Sequence, residues 1–289
     1  MPTDAGLVRS LLEQQFPAWA ALPIERVESF GTDNALYRLG GDRVVRLPRI
    51  AWATRDIEKD ADWLDRLRPL VPVEIPELLA VGEPSHGYPW TWGIYRWLEG
   101  ENPVVGAIER ADELARASGR FVAAVRGLRL EESRPGSRAG PLIERDSETR
   151  KAIAKVAGEF DEAALTATWE DALRAPSWDG PPVWTHGDLL RGNLLLRHGR
   201  LAAVIDWSLL GVGDPACDAL VAWSVLPSET RELFRAEAEL DEATWARGRG
   251  WALTCGLLQI PYYGETNPEL AENGRHMLRQ VLADQNTRS

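Results

Sequence analysis

The stretch from Val183 to Asp218 constrains the fold of this chain most, because short apolar runs alternate there with polar residues whose side chains carry oxygen. Val183–Thr185 is typical of a short strand, and the polar loop His186–Asn193 follows it. Two further apolar runs, Leu194–Leu196 and Leu201–Ile205, are separated by a short turn. The pattern predicts a β-hairpin whose ends carry acidic and amide side chains.

Three of these side chains, Asp188, Asn193 and Asp206, come at neighbouring strand ends. Transfer of a γ-phosphoryl group needs a carboxylate beside the attacking hydroxyl, and hard oxygen ligands for the Mg²⁺ that bridges the nucleotide phosphates. We therefore expect Asp188 to accept the substrate proton, and Asn193 and Asp206 to hold Mg²⁺. The His-x-Asp-x-x-x-x-Asn spacing matches the catalytic loop of protein kinases, with Gly187 in place of Arg.

Three motifs resemble the signature of the aminoglycoside phosphotransferase family, relatives of protein kinases that phosphorylate small-molecule alcohols. They are His-Gly-Asp-x-x-x-x-Asn at His186–Asn193, Ile-Asp-Trp at Ile205–Trp207 and Gly-Asp-Pro-x-x-Asp at Gly213–Asp218. The resemblance implies that His186 braces the catalytic loop. It also implies that Asp218 supports this loop through hydrogen bonds rather than through chemistry.

Other interpretations of these residues exist. An Asp at a strand end is often a helix cap or a turn former, and a lone histidine is often an ordinary buried residue. A metallohydrolase would also use His and Asp. However, none of the four histidines is four residues from another, which argues against a zinc site on one helix face.

Length and composition limit the class of protein. The chain has 289 residues, enough for two lobes with separate cores, and 44% hydrophobic and 27% charged residues are ordinary for a globular protein. We expect no membrane partner, because no apolar run is long enough to span a bilayer and the N-terminus is not typical of a signal peptide. Two cysteines are too few for a disulfide framework and favour a reducing cytoplasm.

The formal net charge of −11 argues against a nucleic-acid partner, which would require basic patches. A surplus of acid would suit a cationic ligand, but it more often serves solubility. We expect a monomer or a homodimer.

The N-terminal part has the pattern of a small antiparallel sheet. Thr3 is expected to cap a first helix with apolar residues at helical spacing. Gly31 and Thr32 lie in a turn between two strands, where a hairpin tip can approach a triphosphate. The five runs of β type are Ile24–Phe30, Ala35–Leu39, Arg43–Leu47, Leu78–Val81 and Trp90–Trp97.

Arg46 ends the third of these strands, where kinase-like folds carry a lysine that binds the α- and β-phosphates. The predicted helix Ala53–Arg68 buries Leu64 and Leu67, and Asp60 shares their face. We expect Asp60 to orient Arg46 so that Arg46 anchors the phosphates. In this pair the basic side chain is longer than the usual lysine, and the acidic side chain is shorter than the usual glutamate. The alternative is that both are unrelated surface charges.

The segment after the fifth strand contains Glu-Gly and Asn-Pro, which indicate a boundary between lobes. We expect a nucleotide-binding lobe over residues 1–100 and a catalytic, substrate-binding lobe over 101–289. The resemblance implies that adenine binds backbone groups of this connector, here the carbonyl of Arg96 and the N–H of Leu98.

The remainder of the chain has helical patterns. Acidic residues between two of the predicted helices are expected to form a solvated face, although they could instead contact a polyamine substrate. Asp214 is expected to cap a helix that begins with Pro215. The acids are Glu159, Asp161, Glu162, Glu170 and Asp171, and the predicted helices are Ile108–Leu128, Glu144–Phe160, Asp161–Leu173, Ser228–Leu240, Glu242–Ile260 and Pro268–Leu282.

The sequence thus predicts an α+β, protein-kinase-like fold of two lobes, with a five-stranded antiparallel sheet and helix in the N-terminal lobe and a mostly helical C-terminal lobe. The expected reaction is transfer of the γ-phosphoryl group of ATP, or GTP, to a hydroxyl of a small molecule such as an aminoglycoside, with antibiotic resistance as one consequence. The acceptor could instead be a macrolide, choline, homoserine or a fructosamine. A non-catalytic, nucleotide-binding pseudokinase is the alternative of a different class.

Overall fold

The computed structural model describes residues 3–28, 33–130 and 133–286, and these form two compact units. The first unit extends to Glu101 and also includes Ala202–Ser208. The second unit consists of Asn102–Leu201 and the chain from Leu209 onward. A short return of the chain thus places Asp206 in the first unit and both Asp188 and Asn193 in the second.

A five-stranded antiparallel sheet forms the centre of the first unit, with the strand order β1-β2-β3-β5-β4. The prediction of an antiparallel sheet is confirmed. Strand β1 ends at Val27, and residues 29–30 of its predicted run lie outside the described residues, whereas β5 is shorter than its predicted run. The strands are β1 (Ile24–Val27), β2 (Asn34–Leu39), β3 (Arg43–Pro48), β4 (Leu78–Gly82) and β5 (Trp92–Arg96).

Helix α1 (Ala5–Gln15) covers one face of this sheet through Val8, Leu11 and Leu12, which are fully buried against strand residues including Tyr37. Each buried leucine contributes about 1.5–3 kcal/mol through removal of apolar surface from water. The expected cap is wrong by one residue: the Asp4 carboxylate accepts from the N–H of Leu7 at 2.8 Å. Asp is the stronger cap because its carboxylate is charged.

Helix α2 (Thr54–Leu67) follows the third strand, as predicted, and buries Ile57, Asp60 and Leu64 on one side. The helical period places Glu58 on the exposed side, so Asp60 is the acid that this helix directs inward.

The second unit is mostly helical, and its elements include α3 (Ala111–Arg126), α4 (Asp146–Val156), α5 (Glu162–Arg174), β6 (Val183–Thr185), β7 (Leu194–Arg197), β8 (Arg200–Val204), which continues into the first unit, β9 (Gly211–Gly213), α6 (Val221–Ser224), α7 (Arg231–Glu237), α8 (Glu242–Tyr263) and α9 (Pro268–Asn286). Helix α8 is buried along most of its length, so the other helices pack around it. It continues through Pro261, where the sequence predicted a loop.

The predicted hairpin is confirmed as β7 and β8. His198 and Gly199 connect the strands with φ angles of 53° and 73°, the left-handed conformation that two-residue hairpin turns require. Strand β6 pairs instead with β9, which the sequence did not predict because Gly-Val-Gly has low strand propensity.

Within the described residues, the helices lack the combination of length and apolar character that a bilayer crossing needs.

Candidate active site

The loop His186–Asn193 connects β6 to β7 and brings two of the predicted site residues into contact. The Asn193 amide nitrogen donates to the Asp188 carboxylate at 2.9 Å and to the Asp188 carbonyl at 2.8 Å. A short 3₁₀ turn, Arg191–Asn193, closes the loop. Because Asn193 uses its nitrogen toward Asp188, its amide oxygen is the atom that could ligate a cation.

The buried Asp218 side chain supports the loop through hydrogen bonds to its backbone. Its two carboxylate oxygens accept the backbone N–H groups of His186 at 2.9 Å and Gly187 at 2.7 Å. Burial raises the pKa of Asp218 to about 6, even though both N–H groups favour its charged form. The contact that the resemblance implied for Asp218 is therefore present.

His186 is fully buried and lies edge-on to Phe121. Its Nδ1 accepts the N–H of Asp188 at 3.2 Å, so the other ring nitrogen carries the proton in the neutral form. The ring thereby fixes the start of the loop relative to α3, and it lies too deep to exchange protons with a substrate.

Two further residues hold the loop, and the sequence interpretation missed both. The Asn102 amide donates to the carbonyls of Gly192 at 3.0 Å and Leu194 at 2.9 Å. Ser224 donates from its hydroxyl to the carbonyl of Leu189 at 3.2 Å. The Asn-Pro pair at Asn102 was interpreted only as a boundary, and a lone serine in a helix gives no signal.

Arg138 is the most consequential residue that the sequence interpretation missed. Its guanidinium pairs with the Asp188 carboxylate and also donates to the carbonyl of Gly187 at 3.4 Å. The neighbouring Asp188 raises the pKa of Arg138 against the effect of burial, so the side chain is a permanent cation. Arg138 lies 50 positions before Asp188 in the sequence, in a turn that belongs to no helix or strand.

The first unit contains the expected ion pair of β3 and α2. Arg46 Nη1 lies 3.1 Å from Asp60 Oδ2, and its Nη2 lies 3.3 Å from Asp56 Oδ2, a second acid that was not predicted. The Tyr95 hydroxyl donates to Asp60 at 2.7 Å. Burial raises the pKa of Asp60 to about 6, while Arg46 opposes that shift. The alternative of unrelated surface charges is excluded by the contact and by the burial of Asp60.

Asp206 follows β8 and adopts a φ angle of 59°. This left-handed conformation is uncommon outside glycine and often occurs at functional sites. The Asp206 carboxylate accepts the N–H of Ser208 at 3.4 Å, and Trp207 beside it is buried. Asp206 belongs to the same unit as Arg46, and its negative charge is one of those that raise the pKa of Arg46 against the effect of burial.

The remaining predicted nucleotide-binding residues are Arg96 and Leu98 after the sheet and Gly31 and Thr32 between its first strands. Arg96 ends β5, and its backbone N–H donates to the carbonyl of Glu77 at 2.9 Å, so only its carbonyl is a candidate for adenine. Leu98 lies two residues further along the connector. Gly31 and Thr32 lie outside the described residues.

Most of the predicted acidic seam is accounted for by structural contacts. Asp161 caps α5 by accepting the N–H of Ala163 at 2.9 Å. Asp214, beyond this seam, caps its 3₁₀ helix as expected and forms a buried pair with Arg247 beside a cavity of about 240 Å³. Three of the remaining seam acids form ion pairs with arginines: Glu159 with Arg275, Glu170 with Arg150 and Asp171 with Arg174.

Among residues 3–28, 33–130 and 133–286, no three His, Cys, Asp or Glu side chains gather as a metal site. The oxygen donors fit Mg²⁺ in kind, since a carboxylate and an amide oxygen are hard ligands for an ion that keeps several waters.

Comparison with known families decides the classification. The family model described as "Phosphotransferase enzyme family" (APH) matches residues 25–251, most of the chain. The chain belongs to this phosphotransferase family. The resemblance inferred from the three motifs is confirmed. No curated protein sequence matches the chain.

Solved structures show that this APH-family chain has the kinase-like fold. The GDP complex of wild-type aminoglycoside 2'-phosphotransferase-IIIa is 18% identical, with a TM-score of 0.74 over 98% of this chain and 100% of that chain. Macrolide 2'-phosphotransferase MphH from Brachybacterium faecium is 24% identical, with a TM-score of 0.62 over 97% and 98%. The streptomycin-ATP-APH(2")-IIa ternary complex is 18% identical, with a TM-score of 0.64 over 96% and 99%.

Proposed function

We propose that this protein transfers the γ-phosphoryl group of ATP or GTP to a hydroxyl of a small molecule, with an aminoglycoside as the first acceptor to test. The observation that carries the proposal is the Asp188–Asn193 contact within a loop fixed by Asp218. A kinase-like fold needs a base and a metal ligand, and the Asp188 carboxylate and the Asn193 amide are the groups proposed for these two roles.

In the proposed reaction, the acceptor hydroxyl hydrogen-bonds to the Asp188 carboxylate. Its oxygen forms a bond to the γ-phosphorus while the bond from that phosphorus to the β–γ bridging oxygen breaks, and the nucleoside diphosphate leaves. The hydroxyl proton passes to Asp188. The first unit would bind nucleotide, with Arg46 on the phosphates and the Arg96 and Leu98 backbone on the base.

Mg²⁺ would neutralise phosphate charge, and Asn193 and Asp206 are the residues proposed to hold it. The left-handed backbone at Asp206 supports this assignment, because such strained conformations of residues other than glycine cluster at functional sites. His186 and Asp218 position the loop and touch no reacting atom.

The alternatives within the same class are kinases of macrolides, choline, homoserine or fructosamines, since the family match identifies no acceptor. A pseudokinase is favoured by one feature, arginine at position 46 in place of lysine. The ion pair of Arg46 with two acids weakens that argument, because the cation is held as an anchor would be.

The test is a phosphate-transfer screen of the purified protein with Mg-ATP and Mg-GTP against aminoglycosides, macrolides and small amino alcohols. Asp188→Asn should lower kcat by about 10²- to 10⁴-fold with nucleotide affinity changed only a few-fold, because a general base acts on the chemical step. Absence of transfer to every acceptor with both nucleotides would favour the pseudokinase.

A further inference from the structure

We propose that Arg138 is a catalytic residue that donates hydrogen bonds to the phosphoryl group during transfer. The inference rests on the proposed function, because it assumes that Asp188 aligns the acceptor hydroxyl. It adds a second-unit cation to the residues that the sequence predicts, and it follows from the position of Arg138 against Asp188.

The position of Arg138 is built into the fold rather than left to a flexible side chain. The segment Arg134–Ala139 lies along β9: Val212 donates its N–H to the carbonyl of Arg134 at 2.8 Å, and Gly136 donates to the carbonyl of Val212 at 3.0 Å. Asp214 then donates to the carbonyl of Ala139 at 2.8 Å. Arg138 is thus carried by a turn held at both ends.

The two glycines of β9 make this close approach possible. A Cβ on Gly211 would lie 2.3 Å from the Cα of Gly136, and a Cβ on Gly213 would lie 2.1 Å from the carbonyl oxygen of Ala139. Both neighbours are backbone atoms, which cannot give way as a side-chain end can. The Gly-Val-Gly sequence therefore serves to seat the turn that directs Arg138 toward Asp188.

Geometry then places the guanidinium beside the reacting group. An acceptor oxygen bonded to Asp188 lies about 3 Å from its carboxylate, and the phosphorus it attacks lies about 3 Å further. Arg138 already contacts Oδ1 of that carboxylate, so its fork of N–H groups reaches the same volume. Its side chain is 27% exposed and that of Asp188 is 16% exposed, so substrate can approach both.

The chemistry favours arginine at this point. The transferred group carries negative charge on its equatorial oxygens, and a guanidinium offers several N–H donors in one plane while it neither gains nor loses a proton. Before substrate binds, Asp188 neutralises the cation. When the acceptor hydroxyl takes its place on the carboxylate, the phosphoryl oxygens become the partner of Arg138.

The experiment compares binding of Mg-ADP with binding of Mg-ADP plus aluminium tetrafluoride, a planar anionic mimic of the transferred group, by calorimetry. We expect the wild-type protein to bind Mg-ADP plus the mimic more tightly than Mg-ADP alone. In Arg138→Met this preference should fall at least tenfold, while the affinity of the variant for Mg-ADP alone should stay within about threefold of the wild-type value. Arg138→Lys should retain part of the preference, because it keeps the charge without the fork.

Arg129→Met is the matched control, since Arg129 is exposed, donates to the nearby backbone carbonyls of Gly127 and Leu128, and carries the same charge. It should retain the full preference. If Arg138→Met proves unstable, Arg138→Lys alone decides the question, with its unfolding midpoint measured as a check on folding.

Turnover provides an independent measurement. Arg138→Met should lower kcat by about 10²-fold or more with little change in the KM for nucleotide, and added guanidinium ion should restore part of it. If Arg138→Met preferred the mimic as strongly as the wild-type protein does, the inference would be overturned and the proposed function would still stand. A wild-type protein with no preference and no transfer would overturn both.

Discussion

At the scale of single residues, two of the acids that the sequence singled out are deeply buried in the folded chain. Asp60 is 4% exposed and Asp218 is 2% exposed. Asp60 is balanced by a cation and Asp218 by two backbone N–H groups, so each carboxylate is compensated in a different way. This difference predicts different responses to mutation and to pH.

Removal of Asp60 should destabilise the first unit and weaken nucleotide binding. Asp60→Ala removes the shorter of the two carboxylate contacts of Arg46 and takes the carboxylate acceptor from the Tyr95 hydroxyl. We expect a loss of about 2–3 kcal/mol in the free energy of unfolding by urea, and roughly tenfold weaker binding of Mg-ATP.

Asp56→Ala is the matched control, because Asp56 makes the longer contact with Arg46 and its removal leaves the shorter one. It should cost about 1 kcal/mol or less. Equal nucleotide affinity and turnover in Asp60→Ala and the wild type would show that the pair is no phosphate anchor.

Asp218 should make stability depend on pH. Its pKa is about 6 in the folded chain against a usual value of 3.8, so the folded state binds more protons between these values. The contribution is therefore fully present below about pH 4 and is lost as the pH rises through 6. The stability advantage of the wild type over Asp218→Asn should shrink by about 1–2 kcal/mol between pH 5 and 7.5.

The measurement is urea unfolding of both proteins at each pH. Groups that titrate alike in the two proteins cancel in the difference between their free energies of unfolding. Even when protonated, the carboxyl group of Asp218 has an acceptor lone pair on each oxygen, whereas an amide has only one acceptor oxygen. Asp218→Asn therefore cannot accept both N–H groups as the wild type does and should be the less stable protein at pH 5. Parallel curves for the two proteins would show that Asp218 does not titrate in this range.

At the scale of elements, β9 determines where the turn with Arg138 lies. Gly213→Ala would place a methyl group 2.1 Å from a backbone carbonyl of that turn. We expect a loss of about 1–3 kcal/mol from overpacking, together with a fall in kcat, since the turn must move. Thermal unfolding and the transfer assay measure the two effects.

Gly158→Ala is the control, because a Cβ there would meet no atom within 4 Å and no left-handed backbone is involved. It should change the free energy of unfolding by less than about 1 kcal/mol and leave kcat as it is. A Gly213→Ala protein as stable and active as this control would contradict the close approach of the turn.

At the scale of the whole molecule, nucleotide and metal should stabilise the folded chain by mass action. A ligand at 100 times its Kd adds about 2.7 kcal/mol, which corresponds to a rise in Tm on the order of 5 °C for a chain of this size. Mg-ATP or Mg-GTP should produce this rise, and EDTA should remove most of it.

Asp206→Asn tests the assigned metal ligand in the same assay. It should lower the Mg²⁺-dependent part of the rise while the protein without ligand keeps its Tm within a few degrees. If the rise in Tm were equally large with and without EDTA, the proposed site would need no metal.

Features that depend on neighbouring residues could be predicted from the sequence alone. The spacing of His186, Asp188 and Asn193 and the hairpin that follows are encoded in consecutive residues, and helical periodicity was enough to select Asp60 over Glu58. The family could be inferred for the same reason, since its motifs are short runs of adjacent residues.

The distant residues that complete the candidate site could be identified only in the folded chain. Arg138, Asn102 and Ser224 contact the catalytic loop from loops and helices whose sequences have no chemical pattern, and the contact of Arg138 depends on glycines more than seventy residues further along the chain. A close approach of two backbone segments requires glycine, so its only trace in the sequence is a residue without a side chain. Contacts between remote segments arise from packing, which no local pattern records.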